Sequence, residues 1–255
     1  MIPYGRDTLR QYLLKRWRMR ARIVSNKEIA KEIFSLWLEA EVKVKAEPGM
    51  YVMIGWEKND PFLNRPFSIA DLDGGRIRII FNLRGRGTRL LAQSRPGDDL
   101  FLSGPWGNGL PDPEPMTLLV AGGIGIAPLF FYKRRYPQSH LLYGAKSREY
   151  LIDLDERVHY VTEDGSQGDQ GLVTDFVDDV YDLVIACGPI AMLYELKQKV
   201  RKGKLWGLLE GRMGCGCGIC MGCAIPTLKG YLRLCRDGPA FPLHEVDFEA
   251  LRNRV

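Results

Sequence analysis

The chain of 255 residues contains no run approaching the roughly 18 to 20 uninterrupted apolar residues that a membrane span needs, and its opening residues lack the apolar stretch of a secretory signal. Both absences argue against a membrane span and lead to an expected location in the cytoplasm. Internal repeats and low-complexity tracts are also missing, which removes solenoid and disordered-tail readings. What remains is ordinary for a soluble globular protein, with 45% hydrophobic and 26% charged residues. The length exceeds the usual single-domain size, so two compact domains are expected.

A basic stripe on the body is lacking too. The formal net charge is +5, but residues 1–22 hold seven Lys or Arg against one Asp, and the rest of the chain nets −1. A nucleic-acid partner is therefore not expected. The segment Arg10 to Arg22, with Tyr12, Leu13, Leu14 and Trp17 among its cations, reads as an appended helix packed on the body.

From Arg20 to Leu102 the pattern is of short strands, RARIVS, IFSLWLEA, YVMIGW, FSIADL, RIRIIFNL and DLFLSG, separated by NKE, EPG and DGG. Strands at this spacing predict a small antiparallel barrel. GPWGNGLPDPEP, Gly104 to Pro115, reads as a linker. After it, MTLLVA is an unbroken apolar strand, GGIGIAP a glycine turn, LFFYKRRY a helix start and HLLYGA another strand. VHYVTEDG, DLVIACGP and the amphipathic IAMLYELKQKVRK continue a βαβ rhythm, so residues 116 to about 209 predict a parallel sheet wrapped by helices.

Beyond Glu210 lies RMGCGCGICMGC, a segment too short and glycine-rich to own a core. Cys215 to Cys220 is C-x4-C, Cys220 to Cys223 is C-x2-C, and Cys235 follows. This is a [2Fe–2S] spacing, in which four thiolates converge on two irons and glycines let backbone N–H groups approach the sulfurs. A reducing compartment disfavours disulfides. A four-thiolate zinc site is the alternative, though such sites more often carry two C-x2-C knuckles and here there is one. Cys217 is left over. Cys187, at the end of an apolar strand, reads equally as a small buried hydrophobe.

Three further stretches suit nucleotide chemistry. AGGIGIAP lies between a strand and a helix, where glycines admit a pyrophosphate to a helix N-terminus, although it is not the G-x-G-x-x-G fingerprint. RPFS, Arg65 to Ser68, sets a guanidinium beside a stiffened backbone. GRGT, Gly85 to Thr88, opens the helix RLLAQS and reads either as an anion-cradling turn or as a helix start with Thr88 as N-cap.

In this order, RPFS, GRGT, GPWGNG, GGIGIAP, CGP and the cysteine segment resemble the ferredoxin–NADP reductase superfamily. RMGCGCGICMGC followed by YLRLCRDGPAF resembles, within it, the electron-transfer subunits of NAD-linked, two-subunit dihydroorotate dehydrogenases. The resemblance spans about residues 20–248. It implies an FAD-binding barrel over 20–110, an NAD-binding α/β domain over 111–209 and a [2Fe–2S] segment over 210–255, behind a basic extension over 1–19. By the same resemblance Arg65, Pro66, Phe67 and Ser68 hold the flavin, and Ile80, Phe81, Asn82, Gly87 and Thr88 contact the rest of FAD. Gly122, Gly123 and Gly125 shape the NAD(H) site, with Cys187, Gly188 and Pro189 near the nicotinamide. Cys215, Cys220, Cys223 and Cys235 are the implied iron ligands.

Two positions depart from the family pattern: Phe81-Asn82 stands where Tyr-Arg is common, and Cys217 where an aliphatic residue is usual. Arg84 or Arg86 is a candidate for the missing charge. The implied partner is an FMN-containing dihydroorotate dehydrogenase catalytic subunit, in a heterotetramer of two of each. A nicotinamide exchanges two electrons as a hydride, a cluster passes one, and a flavin between them handles both. No residue presents itself as the acid or base for dihydroorotate. Two alternatives stand: the same module serving a cytoplasmic hydrogenase or sulfite reductase as a gamma-type subunit, and a non-catalytic zinc-binding regulatory module.

Overall fold

A computed structural model describes residues 18–56, 60–154 and 157–252. Strands β1 (Met19–Ala30), β2 (Ile33–Ala40), β3 (Tyr51–Gly55), β4 (Arg65–Asp73), β5 (Arg76–Asn82) and β6 (Asp99–Trp106) form the barrel, with helix α1 (Arg86–Gln93) between the last two. Every neighbouring pair is antiparallel, and the order β1-β2-β5-β4-β3-β6 closes on itself, so no sheet edge is left. Alternation decides which side chains fill it: Val52 and Ile54 of β3, Phe67 and Ile69 of β4, and Ile77 and Ile79 of β5 point inward.

Two expectations are corrected here. The helix proposed over Arg10–Arg22 does not hold at its end: Met19–Arg22 pair with Asp99–Leu102 as strand, sending Arg20 and Arg22 outward to within 3.9 and 3.5 Å of Asp99. Residues 10–17 lie outside the described residues. The stretch from Gly104, read as a linker, begins as strand, since β6 continues to Trp106 opposite Tyr51.

The second layer is a sheet of β7 (Thr117–Gly122), β8 (His140–Ala145), β9 (His159–Thr162), β10 (Asp169–Gln170), β11 (Leu183–Cys187) and β12 (Lys204–Leu208), with α2 (Ile126–Arg135) after β7 and α3 (Ile190–Lys199) after β11. The order is β10-β9-β8-β7-β11-β12, all parallel. Leu118 and Val120 of β7 face one apolar cluster and Leu119 and Ala121 the other. Burial on both faces is why these strands read as unbroken apolar runs. The barrel rests on α2, where Ile33, Ala70 and Ile80 meet Leu129 and Phe130. At that seam Arg134 lies 3.5 Å from Asp71, whose carboxyl burial holds above its ordinary range.

The remainder forms the hairpin β13 (Ala224–Thr227) and β14 (Gly230–Arg233), the short helix α4 (Leu234–Asp237), β15 (Ala240–Pro242) and α5 (Phe248–Arg252). β15 pairs antiparallel with β12 at the edge of the parallel sheet, so the C-terminal segment is fastened to the nucleotide layer. Cys235 lies on α4, just past the end of β14. The strand stops because the Asp237 carboxylate accepts from the Arg233 backbone N–H at 2.7 Å and turns the chain. No helix among the described residues is long and apolar enough to cross a membrane.

Candidate flavin, nucleotide and iron–sulfur site

β3 organises the centre. Its alternate residues Tyr51 and Met53 face away from the barrel core into the cluster that holds Cys223 and Cys235. The buried Tyr51 hydroxyl donates to the carbonyls of Gly216, at 2.7 Å, and Cys235, at 3.1 Å, tying both ends of the cysteine segment to one strand. Gly216 has φ +70°, and a Cβ there would come within 2.6 Å of the Met53 sulfur. A glycine is therefore required by backbone and by space.

The thiols stand in two groups. Cys215 Sγ accepts backbone N–H donations from Cys217 at 3.5 Å and Cys220 at 3.4 Å, while Cys223 Sγ lies 3.2 Å from Cys235 Sγ and accepts the Cys235 N–H at 3.4 Å. Burial opposes ionisation of Cys215, but the amides of Cys220 and Cys217 outweigh it and bring the thiol down to about 6. Burial holds Cys217 up at about 11, helped by its hydrogen bond to Cys215, and burial with the neighbouring Cys223 pushes Cys235 up to about 12. All six cysteines are unbridged. Among the described residues no three His, Cys, Asp or Glu side chains converge as a ready single-ion site.

β4 runs beside β3 with Met53 opposite Pro66 and Tyr51 opposite Ser68. Directly opposed residues share a face. Pro66 and Ser68 thus lie on the outer face that carries the cysteine segment, one strand spacing away, about 4.8 Å. Phe67 turns into the barrel core against Phe81, its ring 5.8 Å away and edge-on, and Phe81 stacks on Phe34 at 5.6 Å. Ile80 faces α2 instead, and Asn82 closes β5 opposite Ile33.

Arg65 is brought to the start of α1. A Cβ on Gly87 would sit 3.0 Å from Arg65 Nε and 3.3 Å from the Trp56 ring. The Arg65 guanidinium lies 5.9 Å from that ring's centre. The N-cap of α1 is Gly85, not Thr88, because the Thr88 hydroxyl reaches back to accept the N–H groups of Arg84 at 2.8 Å and Gly85 at 3.1 Å. No acid occupies the first turn, and Trp56 Nε1 is buried without a hydrogen-bond partner. The Arg65 guanidinium and the N–H groups of a first turn that carries no acid are the groups here that suit an anion.

The glycine turn and the CGP turn meet at the carboxyl ends of β7 and β11. β8 lies on one side of β7 and β11 on the other, so the strand order reverses between these two strands, where open α/β sheets bind ligands. Gly122 abuts Pro189 and Met192, and Gly188 approaches the Gly122 backbone. A Cβ on Gly125 would fall 2.0 Å from the Cys187 carbonyl oxygen, so the turns are in backbone contact. Gly123, with φ +54°, has open space beside it. Burial pushes the Cys187 thiol well above its ordinary range, with Glu210 adding to the effect.

Residues 210–247 match the family model described as the iron–sulfur cluster binding domain of dihydroorotate dehydrogenase B. The chain is 38% identical over 248 residues to the dihydroorotate dehydrogenase B (NAD(+)) electron transfer subunit of Caldanaerobacter subterraneus subsp. tengcongensis, covering 91% of this chain and 100% of the relative. It is 35% identical to the subunit of the same description from Bacillus mycoides, covering 88% and 96%. The chain belongs to the dihydroorotate dehydrogenase B electron transfer subunit family. Among solved structures, one described as an NADH-dependent reduced ferredoxin-NADP oxidoreductase superposes with TM-score 0.81 at 29% identity over 92% of each chain. A ferredoxin reductase of carbazole 1,9a-dioxygenase shares the fold, with TM-score 0.64 at 21% identity over 72% of this chain and 67% of the other.

For a member of this electron transfer subunit family, the residues present fit the groups the family carries. The cysteine segment offers an all-thiol donor set in two pairs, with amides aimed at two of the sulfurs. The Arg65 guanidinium stands against Gly87, where a Cβ would meet its Nε at 3.0 Å, so the start of α1 and a cation lie together as a dinucleotide's phosphates require. Sequence reasoning missed Tyr51, Met53, Trp56 and Asn108. Asn108, in the stretch read as linker, donates its backbone N–H to the Gly238 carbonyl at 2.7 Å and its amide to Asp237 O at 3.1 Å, clamping the end of α4. A Tyr or Trp inside a buried strand signals that its polar atom needs a partner.

Proposed function

We propose that this chain is the electron-transfer half of a two-component dihydroorotate dehydrogenase, working in pyrimidine biosynthesis and delivering electrons to NAD⁺. The observation that carries the reading is the sharing of β3 and β4: one face bears Pro66 and Ser68 of the flavin motif and, a strand away, Tyr51 and Met53 under the cysteine segment. FAD bound there exchanges a hydride with NAD(H) and single electrons with a [2Fe–2S] centre. The chain's own residues hold and orient. Arg65, the start of α1 with Gly87 and Thr88, and Asn82 at the β5 end form the FAD side, while Ile80 and Phe81, whose side chains pack on α2 and in the barrel core, offer it only their backbone. Arg86 is engaged by Asp60 at 2.5 Å, which leaves Arg84 as the nearer candidate for the missing family cation.

Gly122, Gly123 and Gly125 accept the pyridine nucleotide at the switch point, and Cys187, Gly188 and Pro189 form the wall beside its reactive end. Cys215, Cys220, Cys223 and Cys235, standing as two pairs, would hold the cluster, which would supply one-electron transfer. The units are residues 20–110 for FAD, 111–209 for NAD(H) and 210–255 for the cluster. Dihydroorotate is oxidised in an FMN-containing partner subunit, two copies of each chain making the cytoplasmic assembly.

The test is anaerobic. The purified full chain shows flavin and iron–sulfur absorption that NADH bleaches, and with the copurified partner it reduces NAD⁺ only when dihydroorotate is added. A colourless protein would leave a zinc module in place of the redox reading. A copurified partner without FMN would redirect the same module to another donor, a reading that the 0.81 superposition on a ferredoxin-linked oxidoreductase keeps in play.

A further inference from the structure

We propose that Phe62 is the platform on which the adenine ring of FAD stacks. Phe62 is 83% exposed, the most exposed large hydrophobic side chain among the described residues. It lies between β3 and β4, three residues before Arg65, in a connection that is fastened on both sides of it. Asp60 pairs with Arg86, the first residue of α1, at 2.5 Å, and the Arg65 guanidinium donates to the Leu63 carbonyl. Asn64 is pressed so closely on β3 that a Cβ at Gly55 would fall 2.2 Å from its side-chain oxygen. The ring is therefore held at the rim of the cradle formed by Arg65, Trp56 and the first turn of α1.

That cradle suits the pyrophosphate, since it offers the Arg65 guanidinium and the N–H groups of a first turn with no acid of its own. With the flavin directed along β4 toward Ser68, the other half of the dinucleotide leaves the cradle in the opposite sense along the chain, toward residues 60–63. An exposed phenyl ring costs little in solution but gains area and π contact when a base covers it. Every base has such a face, which is why aromatic platforms bind adenine without a hydrogen-bond code. This assignment rests on the reading of the barrel as an FAD site.

FAD and FMN separate the two claims because FMN lacks the adenosine half. The full chain is freed of flavin and titrated with each by flavin fluorescence. The unaltered protein is expected to bind FAD more tightly than FMN; failure to bind either flavin would remove the FAD reading itself. Phe62→Ala is expected to weaken FAD roughly tenfold while leaving FMN within about twofold, and Phe62→Trp to restore FAD. Unchanged FMN binding also reports that the barrel is intact. FAD affinity unaltered in Phe62→Ala, or equal losses for FAD and FMN, would overturn the assignment of adenine to Phe62.

Discussion

Cys217 was the one thiol without a place in the sequence pattern, and the structure gives its backbone a task that its side chain does not share. The Cys217 N–H donates to Cys215 Sγ at 3.5 Å. Any residue but proline keeps that amide, so Cys217→Ser is expected to retain the full complement of iron and labile sulfide and an unchanged cluster spectrum. Cys215→Ser, which removes the sulfur receiving two amides, is expected to lose the cluster. Iron and sulfide assay of both variants checks this, and loss of iron in Cys217→Ser would make it a ligand. At this scale the sequence was informative about ligand type and spacing, because thiolate chemistry is local to a few residues. It was silent on which thiols pair, because Cys223 and Cys235 meet at 3.2 Å only through a hairpin and a turn.

Between elements, β3 carries the connection that no motif announces. YVMIG reads as a uniformly apolar strand because both of its faces are buried, Val52 and Ile54 in the barrel and Tyr51 and Met53 against the cysteine segment. Alternation is visible only where one face meets water. The barrel and the parallel sheet were legible because their strands are contiguous segments with turn signals between them. The clamp of Asn108 on α4 and the return of β15 to β12 were not, since the first joins residues 128 or more positions apart and the second closes an antiparallel pair only after the whole cysteine segment has intervened. Tyr51→Phe tests the connection: it leaves the carbonyls of Gly216 and Cys235 without their buried donor, which costs about 1–3 kcal/mol. A lower unfolding temperature and faster loss of cluster absorbance to a chelator are expected, with flavin content unchanged. A variant as stable as the parent, with equal cluster retention, would show that the tyrosine does not hold the loop.

The whole molecule orders its sites along one line of contact: switch point, β4, β3, cysteine segment. The glycine and CGP turns lie at the end of the sheet that meets the barrel seam, with Cys187 packed in the same cluster as Ile33 and Ile80 of the barrel. The opposite end of the line is apolar and open, for Ile219 is 69% exposed, Met221 60% and Leu228 70%. On the proposed function this exposed apolar surface beside the cysteine segment is where the partner subunit docks. Met221, with φ +61°, is even held in a strained backbone conformation at that tip. Met221→Asp combined with Leu228→Asp puts two charges into the surface without altering a thiol or a core side chain; the contact of Met221 with the Arg233 guanidinium is replaced by one from a carboxylate. The doubly altered chain is expected to keep its flavin, its iron and its NADH-driven bleaching, since these need only its own residues. Its partner should no longer copurify, and dihydroorotate-dependent reduction of NAD⁺ should fall at least tenfold, because two carboxylates, of which only the one at position 221 takes over a contact with Arg233, must be desolvated in place of apolar side chains. Retained copurification and turnover would move the docking surface elsewhere on the molecule, and with it the end of the electron path.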